Sequence, residues 1–304
     1  MMIKKIVTKY KQSGLLGVLL AGMSYEFRQT SKFFLNSAER ISTKIPISLN
    51  DKELLNRNQV FKNKHMGRRC FVIGNGPSLN KQDLSLLSNE ITIVMNHFYK
   101  HPVIEKWQPK YYCFSDPNLF NVSTYAENFY QNVRQKIHLS KYLVPVYAKN
   151  IIENQKLLPV DRTYYAAFRG TLSNDLNYNI DLTESIPGVQ STSQLAIMWS
   201  LYMGCSPIYL IGLDHDWLSH LSHPVTEHFY KVCDIEDGYS KIKRGSSKGY
   251  YKDDLEAILN LWKGYETILR IAADKNISII NATEGGFLDV FERREYKSIF
   301  TSSN

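Results

Sequence analysis

The sequence predicts an α/β protein with a Rossmann-like, mostly parallel sheet that carries helices on both faces. Two observations predict this fold: short apolar runs recur along the chain, and each run ends in small polar residues. About 20 residues separate the starts of the first three runs, which is enough for the right-handed crossovers that join parallel strands. Because parallel strands end at one edge of a sheet, the small polar residues are expected to lie close together.

Five apolar segments are expected to form strands of this sheet. Each is short and is bounded by charged or turn-forming residues, as is typical of strands that are buried on both faces. In chain order they are residues 69–73, 91–95, 111–114, 207–212 and 277–280. Apolar periodicity and capping residues predict helices over 81–87, 195–203 and 253–275, and Gly204 ends the second of these.

The chain is expected to have two parts, a basic helical extension over residues 1–65 and a catalytic domain over residues 66–304. Within the domain, weak strand signals predict lid segments at about 120–190 and 215–250, the first as an inserted lobe. The extension contains an apolar run over 14–23 that is too short to span a bilayer. A basic amphipathic helix on a membrane surface and a helix packed on its own domain explain it equally well.

Composition narrows the class of partner. Apolar residues make up 43% and charged residues 22% of the 304 residues, which is typical of a globular protein. The net charge of +8 favours anionic partners such as nucleotides or an acidic membrane surface. There is no zinc-finger pattern, RNP-type aromatic motif or long basic block, which argues against nucleic acid. Four cysteines without a CxxC pair indicate a reduced, cytoplasmic protein, with peripheral attachment to the inner membrane as an option.

A glycine-containing turn follows the first predicted strand. Its glycines would let backbone N–H groups approach a phosphate, and its serine would cap the following helix, whose dipole favours an anion. The turn consists of Gly74, Asn75, Gly76, Pro77 and Ser78. It matches neither the Walker A pattern nor GxGxxG, so an ordinary strand-to-helix turn is the alternative.

Other strand ends and one helix start supply further polar groups. Asn96 and the Ser115–Asp116 pair follow the second and third strands and should converge with the glycine turn. Thr192 and Ser193 open an apolar helix and offer hydroxyl groups, although N-capping alone also explains them. The segment 281–286 follows the last strand, where a simple turn is slightly favoured over a site role.

Histidines cluster after the fourth strand, which ends at Gly212. They are His215, His220, His223 and His228, and Asp214, Asp216 and Glu227 lie among them. Their spacing does not match HExxH, and Pro224 interrupts any helix there. Because catalytic groups often lie on such loops, we rank a general base first, an ordinary surface loop second and a metal site third.

The order of these motifs resembles the bacterial sialyltransferases that modify surface glycans. It is even more similar to their relatives in lipopolysaccharide and capsule gene clusters, which share a domain named after the archaeal 6-hydroxymethylpterin diphosphokinase, the MptE-like domain. The resemblance rests on 73–79, 96–99, the hydroxyl-rich helix start at 190–193, 208–214, 228–230 and 281–286. It covers about residues 68–300.

The resemblance implies a metal-independent transferase whose co-substrate is a CMP-linked sugar, with no other cofactor. It places Asn75 and Gly76 on the CMP phosphate and ribose, Asn96 on the nucleotide, and His228 as the general base. Tyr230 and Tyr239 are candidates to steady the leaving phosphate. The full donor-binding set predicted is Gly74, Asn75, Gly76, Pro77, Ser78, Asn96, Ser115, Asp116, Thr192, Ser193, Gly212, Asp214, His215 and Tyr230. Asp116-Pro117 stands where the sialyltransferases have Asn-Pro, which puts the identity of the donor in question.

Three functions follow from these expectations. The first is inverting transfer of a sugar to a hydroxyl group of a cell-surface glycan or lipid-linked acceptor, in a protein that can also form homo-oligomers. The second is magnesium-dependent pyrophosphoryl transfer from ATP to a pterin-like alcohol, with Asp116, Asp214 and Asp216 as metal ligands. The third is a non-catalytic module that binds a nucleotide or a glycan.

Overall fold

The computed structural model describes residues 49–172, 178–220, 228–230 and 250–301. Contacts divide the chain into two compact units, Met1–Pro46 and Ile47–Asn304, and all described residues lie in the second. The apolar run predicted at 14–23 lies outside the described residues.

Residues 49–65, which the sequence predicts as part of the extension, belong to the same compact unit as the sheet. The amide of Asn58 donates to the carbonyl oxygens of Tyr165 and Leu182, at 2.8 and 2.7 Å. The side chain of Phe61 is fully buried in the core. The predicted boundary at residue 65 therefore assigns this segment to the wrong part. Most of its residues are polar, and the few side chains that pack on the domain do not form a recognisable apolar pattern.

The described part of the chain forms one nine-stranded sheet in which every pairing is parallel. The strands are β1 (Cys70–Ile73), β2 (Ile91–Met95), β3 (Tyr111–Cys113), β4 (Lys141–Pro145), β5 (Thr163–Thr171), β6 (Ser185–Gly188), β7 (Ile208–Ile211), β8 (Ile279–Asn281) and β9 (Glu292–Arg293). Their order across the sheet is β6-β5-β4-β3-β2-β1-β7-β8-β9. The α/β fold with a parallel sheet is therefore confirmed.

Helices cover both faces of the sheet, as predicted. They are α1 (Leu49–Asn56), α2 (Thr124–Lys136), α3 (Lys149–Asn154), α4 (Thr192–Tyr202), α5 (Tyr250–Asp274) and α6 (Ser298–Thr301). Helices α4 and α5 share one hydrophobic core with Cys70 and Val72 of β1. Helices α2 and α3 share the other core with Phe71 and Ile73, the alternate residues of the same strand. No helix of the described residues is long and apolar enough to cross a membrane.

Two expectations about local structure are wrong. The segment 81–87 is not one helix, because two 3-10 turns, Pro77–Lys81 and Leu84–Leu87, replace it. Residues 120–190 do not form an inserted lobe, since they supply α2, α3 and strands β4 to β6 of the sheet. Tyrosines, a lysine and a proline in these strands weaken the aliphatic signal on which the prediction depended. The second predicted lid, 215–250, lies for the most part outside the described residues.

The strand order reverses direction beside β1. The chain runs from β1 through β2 to β6 on one side, and then returns to place β7 on the other side of β1. In open α/β sheets, ligands bind beyond the carboxyl ends of the strands near such a reversal. The loops that follow β1, β2, β3 and β7 are therefore the first place to look for a site.

Candidate functional site

The predicted polar residues after β1, β2, β3 and β7 follow strands that end at the same level of the sheet. Ile73, the last residue of β1, pairs with Val94 of β2 and with Ile211 of β7. Met95 of β2 pairs with Cys113 of β3. The four loops after these strands consequently start side by side along the carboxyl edge.

The backbone N–H groups of the glycine turn are engaged within the protein. Gly74 N donates to Ile211 O at 2.8 Å, and Gly76 N donates to Gly212 O at 2.9 Å. Ser78 donates through its backbone N to Asp214 Oδ1 at 3.1 Å and through its Oγ to Asp214 Oδ2 at 2.7 Å. The carboxylate of Asp214 thus occupies the position at which the sequence predicts a phosphate.

The glycines are required because the two loops touch. A Cβ on Gly76 would lie 1.7 Å from Asp214 Oδ2, and a Cβ on Gly74 would lie 2.2 Å from Gly212 O. Gly212 itself has a φ of 65°, which favours glycine. The predicted cap is also wrong, since Gly76 precedes the turn that Pro77 opens and the Ser78 hydroxyl bonds to Asp214. The glycine pattern therefore specifies close packing between the loops after β1 and β7.

Asp214 is a buried carboxyl group with fixed partners. Only 7% of the residue is exposed, and this burial raises its pKa above the ordinary range, while the hydrogen bonds from Ser78 oppose the shift. The loop after β8 supports the same position. Phe287 N donates to Asp214 O at 2.7 Å, and Leu213 N donates to Thr283 Oγ1 at 3.2 Å. Residues 281–286 therefore serve as a structural turn.

The ends of β2 and β3 meet the start of α4. Thr192 Oγ1 lies 2.6 Å from Ser115 Oγ and donates to Asn96 Oδ1 at 3.4 Å. Asn96 has a φ of 48°, which turns the chain sharply after β2. Asn75 Nδ2 donates to Met95 O at 3.0 Å, while its buried Oδ1 has no hydrogen-bond partner among the residues that the structure describes. The structure thus brings the side chains of Asn96, Ser115 and Thr192 together, and Asn75 is bonded to Met95, the residue directly before Asn96.

Asp116 has a local role in the loop after β3. Its Oδ1 accepts from Asn118 N at 2.9 Å and so caps the turn Pro117–Leu119. The hydroxyl of Tyr147, which follows β4, donates to the carbonyl oxygen of Ser115 at 3.4 Å. Asn75, Asn96, Ser115 and Thr192 are called the polar group below. Asp116 therefore lies at the outer side of this set of residues.

His215 belongs to a chain of hydrogen bonds beside the start of α4. Its Nε2 lies 2.7 Å from Tyr265 Oη, and that oxygen lies 2.5 Å from Ser193 Oγ. Ser193 Oγ lies 2.8 Å from Ser191 Oγ. Burial lowers the pKa of His215 to about 3 and raises that of Tyr265, so both groups are neutral at physiological pH. Tyr265 was not predicted, because in sequence it is one aromatic residue of an amphipathic helix.

His228 lies next to the glycine turn. Phe229 N donates to Asn75 O at 2.9 Å and fixes the short described segment 228–230 there. The ring of His228 stacks on Tyr230 with centroids 4.9 Å apart and planes at 10°. The amino group of Lys100 lies 4.5 Å from the centroid of Tyr230. His223 and Tyr239 lie outside the described residues.

His97 is a further histidine at this edge, which the sequence analysis does not single out. Its Nε2 lies 3.3 Å from the hydroxyl of Tyr125 in α2, and its ring centroid lies 5.6 Å from that of Tyr230. Burial, followed by the positive charges of Lys100 and His228, lowers the pKa of His97 to about 3. The feature of the sequence that could have identified His97 is its position directly after Asn96, at the end of a predicted strand.

Two kinds of chemistry are therefore available at the carboxyl edge. Neutral amide and hydroxyl groups at Asn75, Asn96, Ser115 and Thr192 can hydrogen-bond a polar ligand. The imidazole of His228, which is partly exposed, can accept a proton from a hydroxyl group. Within the described ranges, no three His, Cys, Asp or Glu side chains are grouped so that they could hold a metal ion.

The solved structures that are similar to this chain include two of a bacterial sialyltransferase. One is the sialyltransferase CstII from Campylobacter jejuni in complex with the substrate analogue CMP-3FNeuAc, at 11% identity, and the other is CST-II in complex with a trisaccharide acceptor and CMP, at 14% identity. In both cases the similarity covers 74% of this chain and 85% of that chain, with a TM-score of 0.41. No curated protein sequence matches the chain.

Comparison with protein families gives a match over more than half of the chain. The model of the family described as 6-hydroxymethylpterin diphosphokinase MptE-like matches residues 49–220. That range begins with α1, includes strands β1 to β7, and contains the glycine turn, Asn96, Ser115, Thr192 and Asp214. The match confirms the family that the order of the motifs predicts: the chain belongs to the 6-hydroxymethylpterin diphosphokinase MptE-like family.

Proposed function

We propose that the chain is a glycosyltransferase that moves a sugar from a CMP-linked donor to a hydroxyl group of a cell-surface glycan or lipid-linked acceptor. The observation that carries the proposal is the meeting of Asn75, Asn96, Ser115 and Thr192 at the carboxyl edge, with His228 beside them. Uncharged hydrogen-bonding groups suit a nucleoside and a sugar, and an adjacent imidazole suits the activation of a hydroxyl group.

The proposed position of the donor phosphate is near the start of α4. The N–H groups of Gly74, Gly76 and Ser78 already have partners, so the glycine turn is a wall of the site and not its anion-binding element. Helix α4 has 11 residues, and its N-terminal end carries a partial positive charge. Because Ser193 N and Gln194 N donate to Ser191, the groups offered to the phosphate are the helix dipole and the hydroxyl of Thr192. A CMP leaving group bears its charge on a single phosphate, which helix dipoles and hydroxyl groups can stabilise without magnesium.

His228 is the proposed general base. It removes the proton of the acceptor hydroxyl as the oxygen attacks the anomeric carbon, and the bond from that carbon to the CMP phosphate oxygen breaks in the same inverting step. His97 and His215 are weaker candidates, because burial holds the pKa of each at about 3 and leaves little basicity at neutral pH. The partly exposed ring of His228 is open to substrate at the glycine turn.

Pyrophosphoryl transfer from ATP to a pterin-like alcohol is the second candidate. The family's description and the carboxylate of Asp116 at the end of β3 favour it. The reaction needs magnesium held by acidic ligands. Of the predicted ligands, Asp214 does not fit, because the residue is only 7% exposed and Ser78 holds both of its carboxylate oxygens inside the protein.

A thermal-shift panel separates the candidates. CMP, UDP, GDP and ATP are each tested with magnesium and with EDTA, since a bound nucleotide stabilises the folded protein according to its affinity. Glycosyl transfer predicts a selective shift with CMP that EDTA does not remove. A shift with ATP alone that requires magnesium contradicts the proposal and supports pyrophosphoryl transfer. A shift with CMP and no turnover of any donor supports a binding module.

The base is tested by His228→Gln, with His138→Gln as the matched control. His138 is exposed and follows α2, and it bonds to Gln108 and Arg162 through its backbone N and O atoms. We expect His228→Gln to lower the rate of sugar transfer by about 10²- to 10⁴-fold while the CMP shift is kept. The assignment is wrong if His228→Gln and His138→Gln retain equal activity.

A further inference from the structure

We propose that Tyr147 and Asp116 form a subsite for a pyranose ring of the acceptor, next to the polar group that holds the donor. This inference rests on the proposed function and adds to it the chemical class of the acceptor and the residues that recognise it. Nothing in the motif order assigned a role to Tyr147.

Tyr147 presents an aromatic ring to solvent in a fixed position. The residue is 57% exposed although it is held on two sides. The ring of Phe120 packs edge-on against it, with centroids 5.8 Å apart and planes at 85°, and its hydroxyl bonds to Ser115 O at 3.4 Å. A ring held this way can stack against the apolar C–H face of a sugar at little cost in conformational entropy.

A carboxylate accompanies the ring and can accept hydrogen bonds from sugar hydroxyl groups. Asp116 is close enough that, after burial, its charge is the second cause that raises the pKa of Tyr147. Its Oδ1 accepts from Asn118 N, and this bond fixes the orientation of the carboxylate. A carboxylate oxygen has two acceptor positions, so a sugar hydroxyl can donate to a group that already caps a turn.

The position of the ring along the sheet separates it from the nucleotide. Tyr147 follows β4, three strands away from the β1 end where Asn75 lies. At a strand spacing of about 4.8 Å, the two ends are about 14 Å apart, which leaves room for a donor between them. The loop that carries Asp116 leads into α2, where Tyr125 contacts His97 in the cluster that includes Tyr230. A sugar on Tyr147 therefore lies on the same side as the proposed base.

The test measures glycoside binding by saturation-transfer NMR on the full chain. The probes are the methyl glycosides of glucose, galactose, N-acetylglucosamine and heptose, and the variants are Tyr147→Ala, Tyr147→Phe and Asp116→Asn. Phe287→Ala is the matched control, because Phe287 is a 54% exposed aromatic residue on the loop after β8. For the glycoside that binds, we expect about tenfold weaker binding in Tyr147→Ala and Asp116→Asn. Tyr147→Phe and Phe287→Ala should bind it as the unchanged protein does.

Three outcomes overturn the subsite. They are the absence of any glycoside signal that depends on Tyr147, an equal loss in Phe287→Ala, and, in a sugar-transfer assay of Tyr147→Ala, a rise in the KM of the donor instead of the acceptor. The donor result would assign the ring to the transferred sugar. Failure of the proposed function gives a different result, because glycoside binding then still depends on Tyr147 while the nucleotide panel shows no selective shift with CMP.

Discussion

Two pairs of loops lie at the same edge of the sheet and use their polar groups differently. In the pair after β1 and β7, Ser78 and Asp214 bond to each other, and Gly74 and Gly76 allow the backbones to touch. In the pair after β2 and β3, Asn96 and Ser115 meet Thr192 of α4 and are partly exposed. The first pair resembles a buried core contact, and the second resembles the lining of a pocket.

The difference shows that glycine and polar residues after a strand do not by themselves indicate a ligand site. Beside β1, the neighbouring loop comes close enough to supply a carboxylate where an anion would otherwise bind. The hydroxyl and amide groups beyond β2 and β3 instead contact the start of a helix, and Asn96 and Ser115 stay partly exposed. Variants that affect either the packing of the first pair of loops or ligand binding by the second pair test this difference directly.

The largest effect is expected from Gly76→Ala, which tests the contact between the loops after β1 and β7. The added Cβ would lie 1.7 Å from Asp214 Oδ2 and 2.9 Å from Gly212 O, so the two loops must separate. We expect the free energy of unfolding, measured in urea, to fall by about 3 kcal/mol or more. If the variant does not fold alone, the double variant Gly76→Ala/Asp214→Ala should recover part of the stability, since it removes the contacting carboxylate.

Gly67→Ala is the matched control for this variant. Gly67 has a φ of 68°, but a Cβ there would meet nothing within 4 Å. Only backbone strain of about 1 kcal/mol is expected. If Gly76→Ala costs no more than Gly67→Ala, the two loops are not packed as described.

Much of the sheet was predictable because its central strands are aliphatic. Strands β1, β2 and β7 are buried along their whole length, and their apolar runs identify them. Strand β4 begins with a lysine and ends with a proline, while β9 consists of Glu292 and Arg293, so neither has an aliphatic signature. Their pairing depends on neighbours that are distant in sequence, which periodicity within a short window does not reveal.

The candidate site was predictable for the same reason and only in part. Asn75, Asn96 and Ser115 lie at one edge because parallel strands end together, whereas Thr192 reaches them from the start of α4. The engagement of Asp214 by Ser78 joins residues 136 positions apart and depends on which strands are neighbours. Tyr147 contributes only through tertiary packing, which the sequence of its own segment does not encode.

Asp214→Asn is expected to have the next largest effect. The amide removes one of the two acceptors that Ser78 uses, and we expect a loss of about 1–3 kcal/mol in the free energy of unfolding. Asp161→Asn is the control, because the side chain of Asp161 is 79% exposed, and a change within about 0.5 kcal/mol is expected there.

The pKa of Asp214 also predicts how the loss of stability in Asp214→Asn depends on pH. Burial raises the pKa of Asp214 in the folded protein. The stability that this group contributes is therefore fully present below its unfolded pKa near 3.9 and is lost as the pH rises through the folded value. The deficit of Asp214→Asn should be greatest at acid pH and should narrow as the pH rises. A deficit that widens with pH would mean that the hydrogen bonds from Ser78 outweigh burial.

Asn96→Gly tests the pair of loops after β2 and β3, and we expect it to change the stability of the protein less. Glycine accepts the φ of 48° at this position, so the variant removes the amide without straining the turn. We expect the affinity for CMP, from titration calorimetry, to fall by about tenfold while the melting temperature changes little. Asn63→Gly is the matched control, since Asn63 is exposed and has a φ of 53°. Equal affinities in the two variants would remove Asn96 from the nucleotide site.

Ser115→Ala should have the smallest effect of the four. It removes the hydroxyl that lies 2.6 Å from Thr192 Oγ1 but keeps the carbonyl oxygen to which Tyr147 donates, so the proposed acceptor subsite is undisturbed. Thr192 keeps its contact with Asn96 at 3.4 Å, and the loss of one neutral hydrogen bond is worth about 0.5–1.5 kcal/mol. We therefore expect CMP affinity to weaken by about three- to tenfold, with glycoside binding unchanged, when both are measured on the same preparation. An effect on the glycoside with none on CMP would reverse the two subsites, and the polar group at β2 and β3 would then belong to the acceptor.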